Sequence, residues 1–294
     1  MTIAHDFAYL RPATMSDALA MLSANPGAML LAGGTDVVPF LRDDVITPEV
    51  VIDIKDVPGL AGIEIEGDSL RIGALVTFSD LIASAIAADV VPMLVEAALT
   101  VASVGVRNRA TVVGNVCSAV PSCDAGPPLL AYEASMDVIG PAGERSIPIL
   151  EWFLGPRSQA LGAGEIVTGV SIPVLPAHGG CYAKLSRYRG EDLAQVGVAV
   201  VAMPSKRYRV AYGAVGPVPF RVPEIEEYLV GRDLDSETFA GLQPLIIEAI
   251  APIDDIRASK EYRTHMSRVM LERSLAAAAA RLAGGGPPYG ESVI

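Results

Sequence analysis

LLAGGTDVVPF, residues 30–40, is an apolar run cut by two adjacent glycines and followed by a hydroxyl and a carboxylate, Thr35 and Asp36. Leu30, Leu31 and Ala32 read as the end of a short buried strand that Gly33 and Gly34 terminate. Glycines tolerate positive φ and let amides converge on an anion with no Cβ in the way. The same letters also describe a plain tight turn, and neither GxGxxG nor GxxxxGK[ST] is present. What else the chain carries decides between a turn and a phosphate cradle.

Upstream, Thr14 caps an expected helix with Asp17 three residues on, and downstream VVIDI (50–54) reads as a second strand. GIEIEGDSLRIGALV (62–76) and MDVIGPAGERSIPI (136–149) are hairpin patterns, and between them residues 79–103 carry helical spacing broken at Pro92. The pattern changes after PAHGG (176–180). Strand-like AQVGVAVVAM and YRVAYGAVGPVPFRV follow, then a charged helical segment, ASKEYRTHMSRVMLERSLAAAAARLA. The final GGGPPYGESVI (284–294) reads as an extended or flexible tail. No repeat is evident, and the architecture expected is α+β in two or three pieces.

Of the 294 residues, 51% are hydrophobic and 19% charged, which suits an ordered globular chain. No apolar stretch runs to about 18 residues without a charge, Gly or Pro, so no membrane insertion is expected. The first residues, MTIAHDFAYLRPAT, lack the apolar core of a secretory signal, which predicts a cytoplasmic protein. The net charge of −12, without a Lys/Arg cluster, argues against nucleic acid as a partner and means that a bound phosphate must be held by backbone amides. Cys117, Cys123 and Cys181 are too few for a disulfide framework or a thiolate cluster, and five residues separate the first two, so no metal site is expected. His5, His178 and His265 fall in terminal, linker-like and surface-helix contexts, and no catalytic constellation accompanies them. Any chemistry therefore belongs to a cofactor.

Two further stretches carry polar chemistry. In TVVGNVCSAVPSCDAGPPLL (111–130), Gly114 and Asn115 interrupt an apolar run, Ser118 adds a hydroxyl and Asp124 an acceptor suited to a ribose or ribityl hydroxyl. A loop with an Asx turn is the plainer reading. In CYAKLSRYRGEDLAQVGVAV (181–200), strand alternation would put Lys184 on one face with Ser186 and Tyr188, with Arg187 and Arg189 opposite. Lys184 is then either solvated or a charge beside a cofactor that turns anionic on reduction.

Taken together, LLAGGTDVVPFLR, VRNRATVVGNVCSAVPSCDAGPPLLA and GEIVTGVSIPV followed by YAKLSRYRGEDLAQVGVAVV resemble the FAD-binding medium subunit of the molybdenum hydroxylases, the family of xanthine dehydrogenase and aerobic carbon monoxide dehydrogenase. The resemblance spans residues 5 to 285. It implies a vanillyl-alcohol-oxidase-type FAD fold of two α+β subdomains (1–56 and 57–177), a smaller α+β C-terminal domain of the CO dehydrogenase flavoprotein type (178–286), and a flexible tail (287–294). It also implies that Ala32, Gly33, Gly34, Thr35 and Asp36 form a first FAD loop, with Leu30 and Leu31 before it among the FAD contacts, and that Thr111, Val112, Val113, Gly114 and Asn115 form a second, with backbone amides on the pyrophosphate. Val101, Ser118, Asp124, Val167 and Lys184 are the remaining FAD contacts so implied, with Val113 standing where the family often has Gly. The cysteine-rich insertion of the 4-hydroxybenzoyl-CoA reductase type is missing, so FAD is the one redox centre expected here.

The function this implies is electron transfer inside an oxidoreductase complex. By the same resemblance, a small partner subunit with 2Fe-2S clusters delivers electrons, a large subunit with a molybdopterin-type molybdenum cofactor acts on the organic substrate, and FAD passes electrons to an external acceptor, in a dimer of heterotrimers. No residue of this chain is expected to be catalytic on the substrate. The rival readings are a free-standing FAD oxidase or dehydrogenase and a flavin-free scaffold of the same fold.

Overall fold

A computed structural model describes residues 3–188 and 192–294. Arg189, expected opposite Lys184, lies outside the described residues.

The chain opens with β1 (Ala8–Leu10), α1 (Met15–Ala24), β2 (Met29–Leu31), α2 (Val37–Arg42) and β3 (Val50–Asp53). The strands form a parallel sheet in the order β1-β3-β2. Thr14 caps α1 by accepting the Asp17 amide at 3.1 Å, as its sequence predicts. β2 is only half-buried at an edge of this small sheet, and β3 in the middle buries Val51, Ile52 and Asp53.

Next come β4 (Ile63–Glu66), β5 (Ser69–Gly73), α3 (Phe78–Ala83), α4 (Ala85–Val90), α5 (Pro92–Leu99), α6 (Val104–Arg107), α7 (Val112–Cys117) and α8 (Gly126–Tyr132). They are followed by β6 (Ser135–Gly140), β7 (Gly143–Pro148), α9 (Ile149–Trp152), β8 (Phe153–Gly155), β9 (Ser158–Gln159) and β10 (Ile166–Pro173). Both expected hairpins form, with Ile63 opposite Ile72 and Ile139 opposite Glu144, in an antiparallel sheet of order β4-β5-β10-β6-β7. Pro92 does break the helical stretch, standing first in α5, where its missing N–H costs nothing. Ser84 breaks it a second time by ending α3 and capping α4.

The C-terminal part holds β11 (Gly179–Leu185), β12 (Val196–Met203), β13 (Arg207–Gly213), β14 (Phe220–Arg221), α10 (Pro223–Leu229), α11 (Ser236–Ala249) and α12 (Lys260–Leu282). Its sheet runs β11-β12-β13-β14, antiparallel throughout. β12 reads as an unbroken apolar run because both its faces are covered. Val196, Val198, Val200 and Ala202 belong to the C-terminal core with α12's Met270, Leu271 and Leu275, whereas Ala199 and Val201 join the core of the preceding unit. Gly180 permits this docking, since a Cβ there would fall 2.7 Å from Cβ of Met93 on α5.

Two expectations change. β11 ends at Leu185, so Ser186 and Tyr188 are not on the strand and Lys184 shares its face with Tyr182 instead. The tail after Gly286 is not free: Tyr289 Oη accepts the Gly180 amide at 3.1 Å and Arg281 donates to the Pro287 and Pro288 carbonyls. No helix among the described residues is long and apolar enough to cross a membrane.

Candidate cofactor site

The first glycine turn leaves β2 and enters α2. Gly34 has φ +79°, which an L-residue adopts only under strain, while Gly33 is packed so closely on the second stretch that a Cβ would fall 1.9 Å from the Arg109 carbonyl oxygen. The two stretches therefore touch, although about eighty residues separate them in the chain. Among the described residues, no acceptor meets the amides of Gly34, Thr35, Asp36 and Val37, and Asp36 makes no side-chain cap on α2. Four successive unpaired donors at a glycine turn are available to an anion.

Asp36, the awkward member of that turn, is exposed to solvent. Partial desolvation raises its carboxyl above the usual range, and the Arg157 charge opposes the shift. Arg157 itself stacks over Phe40, with its guanidinium carbon 4.8 Å from the ring centroid.

The second stretch is not an open loop. Residues 112–117 form α7, whose N-cap Thr111 accepts the Gly114 amide at 2.9 Å, while the Val112 and Asn115 amides bond the carbonyls of Val76 and Thr111. Three of its amides are thus spent on the chain itself, and the Val113 amide is left without an acceptor among the described residues. Gly114 is required by Thr111, whose Oγ1 would lie 2.6 Å from a Cβ. Val112 and Val113 are buried in the core with Val101 and Val167, the last at a register shift between β10 and β6.

α7 links the glycine turn to a charged pair. Asn115 Oδ1 accepts the Ala125 amide and the Cys123 thiol, each at 3.1 Å, and so fixes the turn that carries Asp124. Ser118 is occupied by the Asn115 carbonyl at 2.7 Å. Asp124, 7% exposed, accepts Tyr182 Oη at 2.9 Å on one oxygen and Lys184 Nζ at 2.8 Å on the other. Lys184 also donates to the Thr100 carbonyl at 3.1 Å, next to Val101. Burial raises the Asp124 carboxyl, and the Lys184 charge and hydrogen bond work against that rise. The solvated reading of Lys184 fails, since its side chain is 4% exposed.

The sequence patterns of two families match this chain: one described as the FAD binding domain in molybdopterin dehydrogenase, over residues 5–175, and one as the CO dehydrogenase flavoprotein C-terminal domain, over residues 181–278. The chain belongs to the FAD-binding medium subunits of the molybdenum hydroxylases. It is 33% identical over 287 residues to the xanthine dehydrogenase FAD-binding subunit of Escherichia coli O157:H7, covering 95% of this chain and 98% of that one. To the carbon monoxide dehydrogenase medium chain of Hydrogenophaga pseudoflava it is 34% identical, covering 94% and 98%. Among solved structures, a reconstituted CO dehydrogenase from Oligotropha carboxidovorans superposes with a TM-score of 0.91 at 33% identity, covering 95% of this chain and all of that one.

The medium subunit is thus an oxidoreductase component with an FAD-binding domain. The residues present fit that cofactor. The unpaired amides of Gly34 to Val37 suit a pyrophosphate in a chain of net charge −12, and a buried lysine stands at the other end of α7. Sequence reasoning missed Tyr182, Thr100, Arg109 and Arg157. It also missed Ala102 and Ala119, held at φ 39° and 46° beside the site, a conformation that costs about 1–3 kcal/mol each and leaves no mark in an alanine's letter. His265 is exposed as expected, and no group of metal-ligating side chains occurs among the described residues.

Proposed function

We propose that this medium subunit holds FAD with its pyrophosphate on the Gly33–Gly34 turn and its flavin end near the Asp124–Lys184 pair, as the electron outlet of a three-subunit complex. The observation that carries the reading is the run of four unpaired amides from Gly34 to Val37, next to Gly33, which packs against Arg109 and Ala110. Bound there, FAD supplies redox chemistry that accepts electrons from one-electron carriers and hands them to an external acceptor. Gly33 holds the two turns together, Asn115 sets Asp124 in place, and Asp124 orients Lys184.

In this reading a small partner subunit carries the 2Fe-2S clusters and a large one the molybdenum cofactor, in a dimer of heterotrimers, with the substrate bound by the large subunit. Three unpaired cysteines suit a cytoplasmic setting. The test is to isolate the chain with and without its copurifying partners, record flavin absorption, and follow flavin bleaching when substrate is added. Bleaching by substrate should require the partners. Substrate turnover by the isolated chain would make it a free-standing flavoenzyme, and a folded, colourless chain that takes up no FAD would make it a scaffold.

A further inference from the structure

β11 is the edge strand of the C-terminal sheet, and it carries both Tyr182 and Lys184. An edge strand presents unpaired backbone groups. Here side chains from three separate segments meet them. The Gly180 amide donates to Tyr289 Oη at 3.1 Å, the Gly180 carbonyl accepts Arg281 Nη1 at 2.7 Å, and the Tyr182 amide donates to Glu96 Oε2 at 2.7 Å.

These three side chains also bind one another. Glu96 Oε1 accepts Arg281 Nη2 at 2.8 Å and the Gly290 amide at 3.1 Å, and the Arg281 guanidinium lies 4.0 Å from the Tyr289 ring centroid. Glu96 and Arg281 side chains are each only 4% exposed. Removing water strengthens every bond in such a network and fixes its geometry.

The consequence lies at the other end of the same residue. Tyr182 is held at its amide by Glu96 and at its hydroxyl by Asp124, and Lys184, two residues along and on the same face, reaches the second oxygen of Asp124. A slide or lift of β11 at Gly180 and Tyr182 would carry both side chains off Asp124. We infer that Glu96, with Arg281 and Tyr289 of the C-terminal segment, is a positioning clamp for the cofactor site, setting β11 so that Tyr182 and Lys184 close on Asp124. The inference rests on the FAD reading above and assigns the last residues of the chain a part in it.

Glu96→Leu and Glu96→Gln separate this role from bulk stability, because a glutamine oxygen still accepts the Tyr182 amide while leaving Arg281 without its counter-charge. FAD affinity and the visible flavin spectrum are measured on the full chain, well below each variant's own melting midpoint. The Leu variant should bind FAD about tenfold more weakly, with displaced flavin bands, and the Gln variant should regain most of the affinity despite a lowered melting temperature. Tyr289→Phe, at a partly exposed position the fold tolerates, should weaken FAD about threefold, and it decides the matter if the Leu variant does not fold. Wild-type affinity and spectrum in a folded Leu variant, or in the Phe variant where the Leu one fails to fold, would overturn the clamp. So would a Gln variant as weak as the Leu one. A wild-type chain that takes up no FAD would instead sink the functional reading.

Discussion

Replacing Lys184 by Met keeps an unbranched stem one atom shorter and leaves Asp124 buried with one neutral partner, the Tyr182 hydroxyl. At 2.8 Å and an effective dielectric of about 20, the lost attraction is roughly 6 kcal/mol gross. Part of this is returned because the ammonium no longer has to be desolvated, and breaking one side of a buried pair leaves about 3–5 kcal/mol of destabilisation. For a chain of this size that lowers the melting midpoint by about 5–8 °C. The loss should depend on pH in a definite direction. The folded Asp124 carboxyl is already raised, so between its unfolded value and its folded one the native state binds the extra proton and stability falls as pH rises. Without Lys184 the folded value climbs further and the window widens. The deficit against wild type, followed by scanning calorimetry, should therefore be smaller at about pH 4.5 than at about pH 7.5, because acid moves the folded carboxyl towards its neutral form, which needs no counter-charge. A deficit equal at both pH values, or larger in acid, would refute the placement of Lys184 on a buried carboxylate. In the FAD-loaded chain the uncompensated carboxylate should also lower the flavin reduction potential.

Gly33→Ala should release FAD and destabilise the chain more than Gly34→Ala, because the first forces a Cβ into the Arg109 carbonyl whereas the second meets only the movable side chains of Leu31 and Val38 and costs mainly the positive φ, about 1–2 kcal/mol; flavin retained after ultrafiltration ranks the two. Asn115→Ala leaves the Ala125 amide without its acceptor, a loss of about 1–3 kcal/mol in denaturant melts, and should weaken FAD through a misplaced Asp124. Burial pushes the Cys117 and Cys181 thiols up to about 12 and holds Cys123 above the usual range as well, so a disulfide reagent at neutral pH should label none of the three until denaturant is added.

Much of the architecture was legible in the letters, because the signals that mark it are local. Thr14 with Asp17, the alternation of Ile63, Ile65, Leu70 and Ile72, and the glycine pair after an apolar run each act within a few residues. The conformation of the second stretch was not legible. TVVGN has the composition of a loop, yet Thr111 spends the Gly114 amide on a helix cap, and whether an amide is spent depends on the turn its neighbours adopt.

The sequence by itself determined the order of the elements, the glycines that allow two backbones to touch, and the shortage of surface cations that leaves amides to hold a phosphate. Tertiary structure decided which amides stay unpaired, that Lys184 is buried against Asp124, and that the last residues cover the edge of β11. Those outcomes depend on residues brought together from 58 to 194 positions apart, Asp124 to Tyr182 and Glu96 to Gly290 among them. Burial and the loss of water there change what a lysine, a carboxylate or a tail tyrosine can do, and no local pattern of letters records that environment.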